Sequence, residues 1–204
     1  FTGFLQASSF TICPALTYDN TLANMFLVES WNGPSGVMKL WKLSGAVGSE
    51  AMTAVSFPTS SNPWWYGSFA VSGTYGADFA PQSGTTNKVQ TNDDRVNQMV
   101  YMNGKLWFAH TVFLPYSASA NPTRSSVQWW QTDPIQIGRI DDATGTNFYA
   151  FPSMAVNTSD DAMIGFAAMS ASSHPSAAYA LRMHTDATDS MRTPYIYRPV
   201  SYTH

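Results

Sequence analysis

The chain has 204 residues, 44% hydrophobic and 14% aromatic, which is enough to build a hydrophobic core, and a formal net charge of -3. Only 11% of residues are charged, against roughly 25% in average soluble proteins, and the basic residues stand singly, so no electrostatic footprint exists for nucleic acid. No apolar run approaches the roughly 18 residues of a membrane-spanning helix, and the Ser, Thr, Asn, Gly and Pro that fill the polar positions suit short strands joined by turns.

The sequence opens at Phe1 without a basic-then-apolar leader, so a processed product, a trimmed chain or a fragment of a longer one is expected. Cys13 is the single cysteine, which excludes an internal disulfide and a thiolate metal cage. Residues 25–31 and 37–43 read as a strand pair around Asn32-Gly33-Pro34-Ser35-Gly36, and residues 51–57 as one more strand. A long stretch, about 58–92, is rich in Ser, Gly, Thr, Asn and Pro and carries Trp64-Trp65-Tyr66. A structureless loop of that length is unusual in a compact domain, so a strand and an extended surface segment are expected within it.

The clearest local signal follows. Residues 98–102 and 105–112 flank Asn103-Gly104, a pair suited to the two positive-φ positions of a type I′ turn, which predicts a β-hairpin. Residues 153–157 and 162–169 repeat the plan around Thr158-Ser159-Asp160-Asp161, with Met154 standing 55 residues after Met99. Each hairpin leads through a Ser/Ala/Pro-rich loop to another strand, 126–131 and 177–182. A repeat of this length with three or four strands predicts an all-β chain of antiparallel β-propeller blades, about three to four, forming part of a larger propeller. A β-sandwich or irregular barrel of the same strands is the alternative. Residues 1–204 are read as one all-β region.

Several separated motifs occur in order: Ala80-Pro81-Gln82-Ser83-Gly84, Asp94-Arg95, Leu106-Trp107-Phe108-Ala109-His110-Thr111, Val127-Gln128-Trp129-Trp130, Phe151 to Asn157, His174-Pro175-Ser176-Ala177 and Arg182. With them the chain resembles a group of largely uncharacterised bacterial secreted proteins that look similar to sialidase-like, BNR-repeat-type propellers. The resemblance implies a propeller fold and export. It implies no reaction, and the chain lacks the Asp-box and Arg-Ile-Pro motifs of true sialidases. Low Lys content and the sequon Asn157-Thr158-Ser159, a glycosylation candidate at Asn157, also lean toward a secreted or cell-surface location.

Blade geometry predicts that Asp93, Asp94 and Arg95 share a loop face with Tyr116, Arg124, Tyr149, His174 and Ser176, a polar patch for a hydroxylated or anionic ligand. The plainer reading is a turn capped by Asp93 and Asp94 with Arg95 paired to them. Trp64, Trp65 and Tyr66 form either an exposed carbohydrate platform or a cluster packed under the loop. Of the neighbours Trp129 and Trp130, one belongs to the core and the other lies between blades or in solvent.

Arg95, Arg139 and Arg182 are spaced like a carboxylate-gripping triad, yet fall before a first strand, at the end of a fourth and within a third, which argues against it. Only Glu29 and Glu50 supply Glu. Asp141-Asp142 and Asp160-Asp161 read as turns, or as weak Ca²⁺ ligands without the spacing of an EF-hand. No other cofactor is expected. His110 reads as a structural histidine and His174 as the better site candidate. The first functional expectation is a binding or structural module recognising glycan or protein through its loop face. A glycan hydrolase and a subunit of an extracellular assembly are the alternatives.

Overall fold

The computed structural model describes residues 11–67 and 79–200. Twelve strands are present among them and no α-helix: β1 (Cys13–Thr17), β2 (Met25–Asn32), β3 (Val37–Ser44), β4 (Ala51–Ser56), β5 (Val96–Met102), β6 (Lys105–Leu114), β7 (Arg124–Gln131), β8 (Gln136–Ile140), β9 (Phe148–Val156), β10 (Ala162–Ser170), β11 (Ser173–Arg182) and β12 (Tyr195–Arg198). They form three consecutive antiparallel meanders, β1–β4, β5–β8 and β9–β12. A parallel pairing of β1 with β5, Ala15 opposite Met99 and Thr17 opposite Tyr101, joins the first two into one eight-stranded sheet curled as a half-barrel. The third meander is a separate four-stranded sheet. A sandwich or irregular barrel is compatible with this all-β arrangement.

The predicted hairpins are present. Asn103 and Gly104 sit at φ 51° and 79°, the left-handed geometry that a tight turn between β5 and β6 needs. The β9–β10 hairpin turns through Asn157 to Asp161, where the Asn157 amide NH donates to the Asp161 carbonyl. Strand β6 is buried from Leu106 to Phe113 because its sheet is covered on both sides. One face carries Trp107, Val127 and Trp129 onto Met154, Ile164 and Phe166 of the third meander. The other carries Phe108, Val112 and Trp130 onto Val28, Met38 and Leu40 of the first, with Trp64 among them. Trp129 and Trp130 thus point to opposite faces as expected, and both are core. Each large aliphatic or Phe side chain so buried contributes about 1.5–3 kcal/mol.

The fourth strand expected to end at Arg139 is β8. Two strands escaped the sequence reading: β1 contains Pro14 and β12 is short and exposed, so neither carries a strong strand pattern. The strand expected within 58–92 is not found among the described residues, and 68–78 lie outside them. The segment makes isolated bridges instead, Val37–Thr59, Trp65–Phe113 and Ala80–Val89. Among the described residues no helix is long and apolar enough to cross a membrane.

Candidate functional site

The curled sheet carries a buried polar row. His110 on β6 stands opposite Gln128 on β7, which stands opposite Arg139 on β8. The Trp130 indole N–H, which can only donate, lies 3.1 Å from His110 Nε2, so Nε2 is an acceptor. Nδ1 therefore holds the proton and donates to the Asp94 carbonyl at 3.1 Å. Complete burial pushes the His110 pKa down to about 3, so the ring is neutral. As expected from sequence, His110 is a hydrogen-bonded structural histidine. Arg139 donates from Nε to Gln128 Oε1 at 2.6 Å and from Nη2 to the Asn62 carbonyl at 2.6 Å. Burial lowers its pKa to about 10.

This row anchors the loop that carries Trp64. The loop is tied at one end by Arg139 and at the other by the Trp64 indole N–H, which donates to Asp94 Oδ2 at 2.8 Å. The Ser30 hydroxyl donates to the same oxygen. Asp94 is 6% exposed, and burial raises its pKa to about 6, against the lowering effect of those two bonds. Asp93 beside it is also buried, and it chelates Arg95 through Nε at 2.7 Å and Nη2 at 2.6 Å. The turn pairing read from sequence is present, but both carboxylates lie inside rather than at the surface.

A cleft of about 310 Å³ opens over Asp94, lined by Thr11, Ser30, Trp31, Asn32, Gly33, Pro34, Tyr66, Asp94 and Arg95. Trp31 is 39% exposed. Behind it, the Lys39 ammonium sits between the rings of Trp31 and Trp41, 4.0 and 3.9 Å from their centroids. The Trp41 indole donates to the buried Glu29 carboxylate at 2.7 Å. Glu29 is directly opposite Lys39 across β2 and β3, and both residues are buried. The cleft floor is tight: a Cβ on Gly33 would stand 2.7 Å from Trp64 Nε1 and 2.8 Å from its carbonyl. Gly33→Ala is expected to destabilise the fold by about 1–3 kcal/mol and to disturb the Trp64–Asp94 bond, seen as a lower urea midpoint and a shifted Asp94 carboxyl NMR titration.

The other sequence candidates are brought to the same end of the strands but not to one point. Arg124 is held by Asp141, with Nε–Oδ1 2.8 Å and Nη2–Oδ2 2.7 Å, and the Ser126 hydroxyl also donates to Asp141. Tyr116 packs on Trp65, ring centroids 4.8 Å apart. Tyr149 is a core residue against Phe166. The Ser176 hydroxyl donates to the His174 carbonyl, and His174 Nδ1 is buried with no partner among the described residues. The exposed platform of Trp64 and Trp65 is not formed: Trp64 is fully buried and Trp65 nearly so, with the Trp65 indole donating to the Ser117 carbonyl at 3.0 Å. Inside, both indole N–H groups are satisfied.

The three arginines considered as a triad are apart, Arg95 on Asp93, Arg139 on Gln128 and Arg182 on Gln136 Oε1. The turn carboxylates are committed too. Asp142 accepts from Thr144 and Asn147 and its pKa falls to about 2, while Asp160 meets Lys105 and Asp161 meets His184. Among the described residues no group of three His, Cys, Asp or Glu side chains is placed to hold a metal ion. The Asn157 amide closes its turn, Nδ2 donating to Asp161 Oδ2 at 3.0 Å and Oδ1 accepting from two backbone amides. A glycan on Nδ2 would compete with that geometry.

Trp31 and Ser30, which complete the cleft, were not singled out in the sequence. Their position beside the Asn-Gly-Pro-Ser-Gly turn was the available signal. No protein-family model matches the chain, and no curated protein and no solved structure matches it.

Proposed function

We propose that the chain is a non-catalytic binding module acting outside the cytoplasm, built from propeller-type blades and taking a sugar in the cleft between the β2–β3 turn and the lead-in to β5. One observation carries the reading: a half-exposed aromatic ring, Trp31, stands at a cleft with a single buried carboxylate, Asp94, and the amide residue Asn32. Aromatic faces and a few placed polar groups are the usual composition of such a site. Three successive four-stranded meanders, the first two starting with parallel strands, support the propeller part of the proposal. The resemblance to sialidase-like secreted proteins supports export.

A glycosidase reading is weaker. Hydrolysis generally uses two carboxylates on either side of the scissile bond, whereas among the described residues Asp94 is the one acid lining this cleft and Asp93 is chelated by Arg95. Calorimetric titration with a panel of neutral, basic and acidic oligosaccharides tests the proposal. At least one is expected to bind, with Trp31→Ala weakening it about tenfold or more and leaving the melting temperature nearly unchanged. Absence of binding across the panel, or sugar cleavage with turnover, overturns it.

A further inference from the structure

We infer that the cleft selects a sugar carrying a positively charged amine over neutral and acidic sugars, with Asp94 Oδ1 meeting the ammonium. The inference rests on the reading of the cleft as a sugar site. Its ground is the charge inventory of the wall. Among the described residues two charged ones line the cleft, Asp94 and Arg95. Arg95 lies on Asp93 through two short parallel bonds, so its charge is matched where it stands. Asp94 has only neutral donors, the Ser30 hydroxyl and the Trp64 indole, and no ion pair among the described residues includes it.

Both donors converge on Oδ2. Oδ1 accepts from no other residue among the described ones, although the side chain is more than nine-tenths buried. A largely buried carboxylate that pairs with no cation among the described residues is relieved by one. With Asp93 and Asp94 against one arginine, the wall keeps a net negative charge, which repels a carboxylate ligand unless Arg95 leaves Asp93. Lys39 does not alter the balance, since it stands behind the Trp31 ring and opposite Glu29. Cations also favour aromatic faces, and Trp31 and Tyr66 both line the space.

The test uses three tetrasaccharides, of glucosamine, N-acetylglucosamine and galacturonic acid, titrated calorimetrically into the chain at about pH 7 and low salt, where Asp94 is mostly ionised. The glucosamine tetramer is expected to bind about tenfold or more tighter than the N-acetylated one, with the galacturonate tetramer not binding. Asp94→Asn, which keeps an acceptor for Ser30 and Trp64, is expected to reduce glucosamine binding to the N-acetylated level. In the unaltered chain the preference is expected to shrink as salt is raised, a readout independent of whether the variant folds. Equal or tighter binding of the neutral or acidic tetramer, or a preference that survives Asp94→Asn or high salt, overturns the inference and leaves the sugar-site reading standing. No binding by any of the three overturns the inference, and failure of the wider panel as well removes the reading beneath it.

Discussion

Trp64→Ala is expected to lower the unfolding free energy by about 3–5 kcal/mol, read from the urea midpoint at constant slope. Trp64 is wholly buried in the cluster of Val28, Met38, Leu40, Phe108 and Trp130. Its ring meets His110 edge-on at 5.1 Å and Trp130 at 6.0 Å. Truncation removes this packing and leaves a cavity between the first and second meanders, which a sheet bridged on both sides cannot close. It also takes one of two donors from Asp94 Oδ2, and the buried carboxylate deprived of a bond supplies about 1–3 kcal/mol of that loss. Trp64→Phe separates the two effects, because it keeps most of the volume and loses only the N–H. An Ala variant within about 1 kcal/mol of the unaltered chain would show that Trp64 is not part of the core.

How much of this could be read from sequence follows from the range of each interaction. The β5–β6 hairpin was legible because Asn103-Gly104 fixes its own geometry, and the matched strands at Met99 and Met154 both open a meander. The Asp93–Arg95 pair spans two residues and was legible for the same reason. The parallel pairing of β1 with β5 was not, because it joins segments some eighty residues apart and the residue types of β1, Cys-Pro-Ala-Leu-Thr, carry no apolar–polar alternation even though their burial alternates. At Gly138 in β8 a Cβ would stand 2.5 Å from Trp129 Nε1, so packing rather than strand propensity sets that position. The burial of Asp94 depends on Ser30, 64 positions away, and on Trp64. Their convergence turns a turn-like Asp-Asp pair into the floor of a cleft, and no local pattern encodes it.

The same convergence predicts an unusual pH response. Asp94 has a folded pKa of about 6, above the unfolded value of roughly 3.9. Between these values the folded chain holds more protons, so Asp94 makes stability fall as pH rises from about 4 to about 6. Above that window its full penalty is about 3 kcal/mol. His110 has the opposite sign. Its folded pKa of about 3 lies below the unfolded value of roughly 6.5, so the unfolded chain holds more protons in between and stability rises with pH. Across pH about 4 to 6 the two slopes cancel, each being one proton or about 1.4 kcal/mol per pH unit.

Asp94→Asn is therefore expected to unmask His110, its stability relative to the unaltered chain falling by about 2 kcal/mol on acidification from pH 6 to 4. His110→Gln, which retains a donor toward the Asp94 carbonyl and an acceptor for Trp130, is expected to gain by a similar amount over the same range. Urea unfolding of the three proteins at half-unit pH steps gives both curves, and taking each variant against the unaltered chain removes the exposed carboxylates they share. Curves parallel to that of the unaltered chain would mean that neither group is buried in the charge state described. Divergence in opposite directions is the signature of an acid held up and a base held down by one buried site, with the Asp94 carbonyl joining them.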